Sequence, residues 1–530
     1  MPTFDTNLVN AHLRAFRANP VETMQTIPPK QNASGEMVST SPFAAEDAAT
    51  HAYSAGRDQL RTNMLQKGVT TRAAIEANDD PRKLADTFKY DSLPAIEAAG
   101  LRTAKLAVQP WSGDYWATAS GGLGNRYAGC GGMGGGWDMN YEYTRTHPSK
   151  VILNSGSEVW VNELSPSEKY DALVGDAAET LTRMSWLDGK KYFDVHKEVP
   201  GWFGICHGWA PAAFMFPRPA KSVKLLTPNK QTLTFYPCEI KALASLLWAR
   251  SNPTTRFIGG RCNVEKPTID PATGRVITLY NPYIAADYGT DQPLEPSQPR
   301  PGETEVSLSS ETWSEDGTTG REGGRPTQSQ CFDTNPGAWH LAVVNQLGVS
   351  KRSMIMDASF DYQVWNQPLL GYQYTYFNPQ TLKQTEKLAE ATTTKTAFTA
   401  DIFKKYRSPK AVSFVGIVMR VTYMGENGNS QEHTDTSDND SIATVDYYYD
   451  LELDAAGKII GGEWYSNSHP DFLWTPPKDG RAVSRYEALA TGTWAAGKPM
   501  PDSWRAAAAK ASADMTPLAA IVEYMVKLAK

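Results

Sequence analysis

Between about residues 338 and 475 the chain repeats one pattern, in which β-branched and aromatic side chains alternate with others over short runs: "HLAVVNQLG", "SMIMDASF", "AVSFVGIVMRVTYM", "TVDYYYDLELD" and "KIIGGEWYS". Alternation with a period of two buries one face of a strand, so these runs predict an antiparallel sheet. Within it, "ELDAAGKII" predicts a hairpin. The rest of the chain reads differently. Residues 1 to about 105 carry apolar positions at helical spacing, as in "AAEDAATHAYSAGRDQLRTNMLQKG", and a turn signal at "NDDPRK". Residues 163–188 open on a Ser-x-Ser-Glu start and continue with helical periodicity, and "SWRAAAAKASADMTPLAAIVEYMVKLAK" predicts two short helices packed on the outside. The fold class is α+β.

At 530 residues the chain exceeds one ordinary core, and three regions are expected. Residues 1–105 form a helical N-terminal region, 106–475 a central domain, and 476–530 a helical C-terminal extension. The domain is interrupted at 288–330, where Pro, Gly, Ser, Thr and Glu dominate without apolar periodicity, as in a surface insertion. A second irregular stretch, "PWSGDYWATASGGLGNRYAGCGGMGGGWDMNYEY", is dense in Trp and Gly but lacks the GK[ST] close of a phosphate loop, so a packed loop is its default reading.

With 58 acidic against 52 basic residues and a formal charge of −6, the chain has no basic excess to neutralise phosphates, which argues against nucleic acid or an anionic membrane as partner. No stretch has the length of a membrane span. The first twenty residues interrupt any apolar core with charges, so no signal peptide is visible. Five cysteines, Cys130, Cys206, Cys238, Cys262 and Cys331, leave at least one thiol outside an intramolecular bridge, and none forms a CxxC pair.

The segment "GWFGICHGWAPAAF", residues 201–214, places one of those thiols at the edge of a helix-compatible run. Pro211 lacks the N–H that a helix interior requires, so the spacing predicts a helix starting near His207 to Pro211, with Pro211 in its first turn. Cys206 then sits at the helix N-terminus. There the dipole and free N–H groups favour an anion, which lowers a thiol pKa and offers donors to an oxyanion. A base and an orienting acid come from the run 338–360. If Gly348-Val349 is the centre of a two-residue hairpin, His340 faces Asp357 across the ladder at a Cβ separation of about 4.5 to 5.5 Å.

Each residue also has a plainer reading: core packing for Cys206, a satisfied strand histidine for His340, and for Asp357 a buried carboxylate that needs some partner. His207, with no carboxylate near it in sequence, and His196 are weaker bases. A metal site from Cys206, His207 and Cys238 fits no known spacing. Asp435, Asp438 and Asp440 are possible calcium ligands in a loop without EF-hand spacing, and a solvated loop is its default. No required cofactor is predicted.

The run Val364-Trp365-Asn366-Gln367-Pro368, followed by Gly371 and Tyr372, resembles the surface peptide of the oomycete transglutaminase elicitors, the segment that plant cells recognise. "QPWSGDYW" (109–116), "GWFGICHGWAPAA" (201–213), "HLAVVNQLG" (340–348) and "YDLELDAAGKIIGGEWYSNSHPDFLW" (449–474) are similar to that family too, so the resemblance covers about 105–475. After Pro368 the chain departs from the eliciting peptide, because "LLGYQYTYF" lacks its basic residues.

The resemblance implies a secreted protein-glutamine γ-glutamyltransferase with a papain-like core, in which a helix carrying the cysteine packs on an antiparallel sheet carrying histidine and aspartate. Motif matching puts the nucleophile on Cys206, the base on His340 and the orienting acid on Asp357. Substrates would be protein glutamines and primary amines such as lysine, with Trp202, Trp209 and Trp339 as candidate walls of the acyl channel or, equally, as core. Residues 1–105 would be a pro-region, a delivery domain or a packed extension, and the protein would be secreted or delivered outside the cell. A papain-like hydrolase, either protease or glutamine deamidase, and a noncatalytic recognition protein on the same scaffold remain alternatives.

Overall fold

The computed structural model describes residues 4–19, 23, 30–32, 37–38, 80–126, 136–251, 253–259, 268–269, 276–277, 321–322, 325–326, 334–358, 364–404, 407–466 and 469–530. Outside them lie the segment 44–68 read as helical, nearly all of the insertion 288–330, the glycines of 129–135, and Cys130, Cys262 and Cys331.

The elements that position the site are, in chain order, the helices α1 (Thr6–Ala18), α2 (Pro166–Val174), α3 (Thr180–His196), α4 (Cys206–Met215), α5 (Pro237–Arg250), α6 (Pro336–Val343), α7 (Asp502–Ala513) and α8 (Ala519–Leu528). The strands are β1 (Lys30–Asn32), β2 (Met37–Val38), β3 (Thr103–Lys105), β4 (Arg256–Gly259), β5 (Ile355–Asp357), β6 (Asn366–Phe377), β7 (Ser413–Met424), β8 (Ile442–Leu453), β9 (Ile459–Trp464) and β10 (Phe472–Thr475). They lie in the order β2-β1-β8-β7-β6-β5-β10-β4 within one antiparallel sheet of 12 strands among the described residues, with β3 added to β6 and β9 to β8. The fold is thus mixed helix and sheet, as expected. β8 and β9 make the anticipated hairpin, in which Asp454 N donates to Lys458 O at 3.0 Å and Gly457 takes a φ of 76° that suits glycine.

Alternation sorts the sheet into two faces. Tyr372, Tyr374 and Tyr376 of β6, Val415 to Tyr423 at alternate positions of β7, and Val445, Tyr447, Tyr449 and Leu451 of β8 form one apolar layer, and α6 covers it. On the other face Phe377, Val418 and Tyr448 receive Val9, Leu13 and Phe16 of α1. The N-terminal region is therefore not helical throughout: β1 pairs with β8 through Lys30↔Val445, and β3 with β6 through Tyr372↔Ala104.

The remaining helices build a second core around α4 and α5. α2 begins with the capping box promised by its sequence, where the Ser165 hydroxyl accepts from Glu168 N at 3.2 Å and Glu168 Oε2 from Ser165 N at 2.9 Å. α8 belongs to this interior rather than to the outside, since Ala519, Ile521, Val522 and Met525 are wholly buried within it. No helix among the described residues is long and apolar enough to cross a membrane.

Candidate active site

Cys206 is the first residue of α4, following Ile205 in a non-helical conformation. Two backbone hydrogen bonds bring the chain there beside the Trp/Gly-rich segment: Thr118 N donates to Phe203 O at 2.8 Å, and Ile205 N to Tyr115 O at 2.7 Å. The approach is close enough that a Cβ at Gly204 would stand 2.6 Å from Tyr115 Cδ2. Pro211 does not set this boundary. It lies inside α4, beyond the first turn, where its ring removes the donor that the carbonyl of His207 would otherwise receive. The helix-start position of Cys206 thus holds for a different reason.

A helix N-terminus alone does not make this thiol acidic. Burial pushes Cys206 up to about 11, the carboxylates of Glu426 and Asp357 add to the rise, and hydrogen bonds from the backbone and side chain of Asn366 oppose it. Asn366 opens β6. Its Nδ2 donates to Cys206 Sγ at 3.5 Å, while its Oδ1 accepts from Trp474 Nε1 of β10 at 2.7 Å. Cys206 Sγ in turn donates to Val364 O at 3.5 Å. An indole N–H can only donate, so Trp474 determines which end of the Asn366 amide faces the sulfur.

Asp357 ends β5 and is fully buried. Its Oδ1 accepts from Trp365 N at 3.0 Å, and Ala358 N donates to Trp365 O at 2.8 Å, so the Val364–Pro368 run clamps the carboxylate's end of the strand. Ile355 packs against Ala210 of α4, whereas Met354 and Met356 join the opposite layer. Strand alternation gives Asp357 the face of Ile355, which is the face of Cys206.

His340 is not brought to them. The hairpin expected at Gly348-Val349 is absent, because Pro336 to Val343 form α6 and Val344 to Val349 continue it as one wider π turn. Asn335 caps the helix by accepting from Gly337 N at 2.8 Å, and Pro336 occupies its first turn. The run 338–348 is buried on every side, and an apolar run of this kind reads alike as a buried strand or a buried helix. Across the ladder from Asp357 stands Asn366, not His340. His340 lies on the other face of the sheet, wholly buried, with Nδ1 2.9 Å from Tyr449 Oη and its ring edge-on to Tyr374 at 4.8 Å between centroids. Burial lowers its imidazole to about 3, and Nε2 has no hydrogen-bond partner among the described residues.

The tryptophans also redistribute. Trp209 is fully buried with Nε1 donating to Trp111 O at 3.3 Å, and Trp339 is fully buried edge-on to Tyr447 at 5.3 Å, so both are core residues. Trp202 is half-buried against Phe203, with ring centroids 4.5 Å apart. The aromatics nearer the thiol cluster are Trp474, Trp365 and Tyr115, the last two in edge contact at 5.2 Å. Asn366 and Trp365 stood in the quoted "VWNQP" run, but nothing local marked Asn366 as a neighbour of Cys206.

His207 is exposed. In the acidic loop, Asp435 pairs with Arg218 at 2.9 Å and Lys241 at 2.8 Å, and Asp440 pairs with Arg218 and accepts from Gln109 Nε2 at 2.6 Å. These carboxylates are matched by cations of the protein itself. Among the described residues no group of three or more His, Cys, Asp or Glu side chains is placed to hold a metal ion.

Comparison with known proteins gives a family and one solved structure. The family described as "Transglutaminase elicitor" matches residues 83–278 and 311–486, well over half of the chain. The crystal structure of the GP42 transglutaminase from Phytophthora sojae aligns with 19% sequence identity over 80% of this chain and 90% of its own, at a TM-score of 0.44. None of the curated proteins matches.

Proposed function

Because the chain belongs to the transglutaminase elicitor family, we propose that it is a protein-glutamine γ-glutamyltransferase acting through Cys206, on a papain-like plan in which the cysteine helix rests on a sheet bearing the acid. The observation that carries this reading is the position of Cys206 as the first residue of a buried helix, on the same sheet face as Asp357. The thiolate attacks the carbonyl carbon of the γ-carboxamide of a glutamine side chain. The C–N bond breaks, ammonia leaves with a proton, and a thioester remains on Cys206. A primary amine, such as a lysine side chain, then attacks the thioester carbonyl. The C–S bond breaks, the amine gives up a proton, and the thiol is regenerated as an isopeptide or substituted amide forms. Excluding water from the buried sulfur favours amine over hydrolysis.

Of the candidate triad, this reading keeps Cys206 as nucleophile and Asp357 as the carboxylate on its face of the sheet, while His340, on the opposite face against Tyr449, is left out of it. Trp365 and Tyr115 replace Trp209 and Trp339 as channel walls. Residues 106–475 act as the catalytic domain, and the elicitor family suggests action outside the cell.

A second reading, a noncatalytic recognition protein on the same scaffold, is favoured by one observation: the candidate base His340 is buried among tyrosines on the far face of the sheet. One assay separates the two. The full chain, before and after limited proteolysis and with or without calcium, is given a glutamine-bearing protein and a labelled primary amine, with Cys206→Ala as control. The transferase reading expects Cys206-dependent incorporation. Release of ammonia without label indicates deamidation, and neither product indicates the noncatalytic scaffold.

A further inference from the structure

Every cysteine-dependent acyl transfer must hold negative charge on sulfur and then on the carbonyl oxygen, and a buried thiol holds it only if donors already point at it. At Cys206 the helix N-terminus does not suffice, since burial outweighs it. The compensation comes from one residue 160 positions further along the chain. Asn366 directs both its backbone N–H and its Nδ2 towards the sulfur. An asparagine amide can present either end, and an oxygen turned to a thiolate would repel it. Trp474 removes that freedom, because its Nε1–H at 2.7 Å from Oδ1 accommodates only the oxygen. Asn366 and Trp474 are both nearly buried, with exposures of 4% and 8%, so water does not take the place of either contact. The register that sets Asn366 opposite Asp357 fixes its backbone, while β10 pairs with β5 through Ile355↔Trp474 and brings the indole alongside.

We infer that Asn366 is a catalytic residue of the Cys206 site, donating to the thiolate and then to the oxyanion formed on it, and that Trp474 is a positioning residue that locks its amide orientation. The inference rests on the acyl-transfer reading but is separable from it, because the thiolate can be titrated without turnover.

The experiment is the pH dependence of iodoacetamide alkylation at Cys206, followed on the cysteine-bearing peptide by mass spectrometry in the full chain, since five cysteines are present. Losing one hydrogen bond to a charged sulfur is expected to move the midpoint of Asn366→Ala upward by about 1 pH unit. Asn366→Asp, which sets a carboxylate against the sulfur, shifts it further. Trp474→Phe, which leaves the amide in place but free to rotate, shifts it upward by less and lowers the turnover rate more than it raises KM for the glutamine substrate. A midpoint unchanged in both Asn366→Ala and Trp474→Phe overturns the inference, and so does a Cys206 that resists alkylation at every pH in the unaltered chain. If no amine is incorporated yet Asn366→Ala still shifts the midpoint, the transferase reading falls and the role of Asn366 as hydrogen-bond donor to the thiolate stands. If amine is incorporated and the midpoint does not move, the reverse holds.

Discussion

Gly208 decides where Cys206 can stand, and replacing it with alanine tests that dependence. In an exposed helix interior, Gly→Ala stabilises by about 1 kcal/mol through backbone entropy. Here the added Cβ would lie 2.6 Å from Ala249 Cβ and 2.7 Å from Ala249 N of α5, and closer still to the carbonyl oxygen of Ser245. Ordinary van der Waals contact begins near 3.4 Å, and two of the three obstacles are backbone atoms of a buried helix that no rotamer change can move. Overpacking of this kind costs about 1–3 kcal/mol, and with so little freedom to yield the upper part of that range applies. Net of the propensity gain, Gly208→Ala is expected to destabilise by about 1–2 kcal/mol. The assay is urea unfolding followed by tryptophan fluorescence together with Cys206 alkylation, because separating α4 from α5 displaces Cys206, two residues away, from Asn366. A midpoint equal to or above that of the unaltered chain would refute the reasoning, since it would mean that α4 and α5 do not touch at Gly208.

Two further perturbations probe the frame around the site. At Asp86, burial would raise the carboxyl, but hydrogen bonds from Arg352 and Arg256 outweigh it and hold the group at about 2. A depressed folded pKa means stability present above the ordinary value of 3.8 and lost as pH falls towards 2, so Asp86→Asn should cost about 2 kcal/mol at pH 6, with the difference vanishing between about pH 4 and pH 2 in acid unfolding curves. A cost that persists unchanged at pH 2 would contradict the pairing. His340→Ala should cost about 2 kcal/mol by opening a cavity and stranding the Tyr449 hydroxyl, yet leave the alkylation midpoint of Cys206 where it was. A shifted midpoint would show that the imidazole does reach the sulfur.

The sequence was most legible where one physical signal dominates. Alternation announced β7, β8 and β9 because each has one face against an apolar layer, and Ser165 with Glu168 announced the start of α2 because the capping box is a local device. Cys206 was placed at a helix start, although the argument from Pro211 was not the operative one. The failure at His340 has a definite origin. α6 is buried all round, so it lacks the polar stripe by which a surface helix is recognised, and its cap, Asn335, is a single residue without a Glu to complete a box. Asn366 was invisible as a site residue for another reason. Its meaning depends on Trp474, 108 residues on, and on Cys206, 160 residues back, distances that only the sheet register closes.

The burial of Trp365 to Pro368 has a consequence for any receptor that would read that run. Trp365, Asn366 and Gln367 are at most 6% exposed, and the backbone from Asn366 to Pro368 is already spoken for by β5. A surface that grips this run as an extended peptide must therefore meet chain that has been cut or unravelled. In the intact molecule the run is a sealed message, legible only in its debris, so a recognition system tuned to it would register the protein's breakdown and not its arrival.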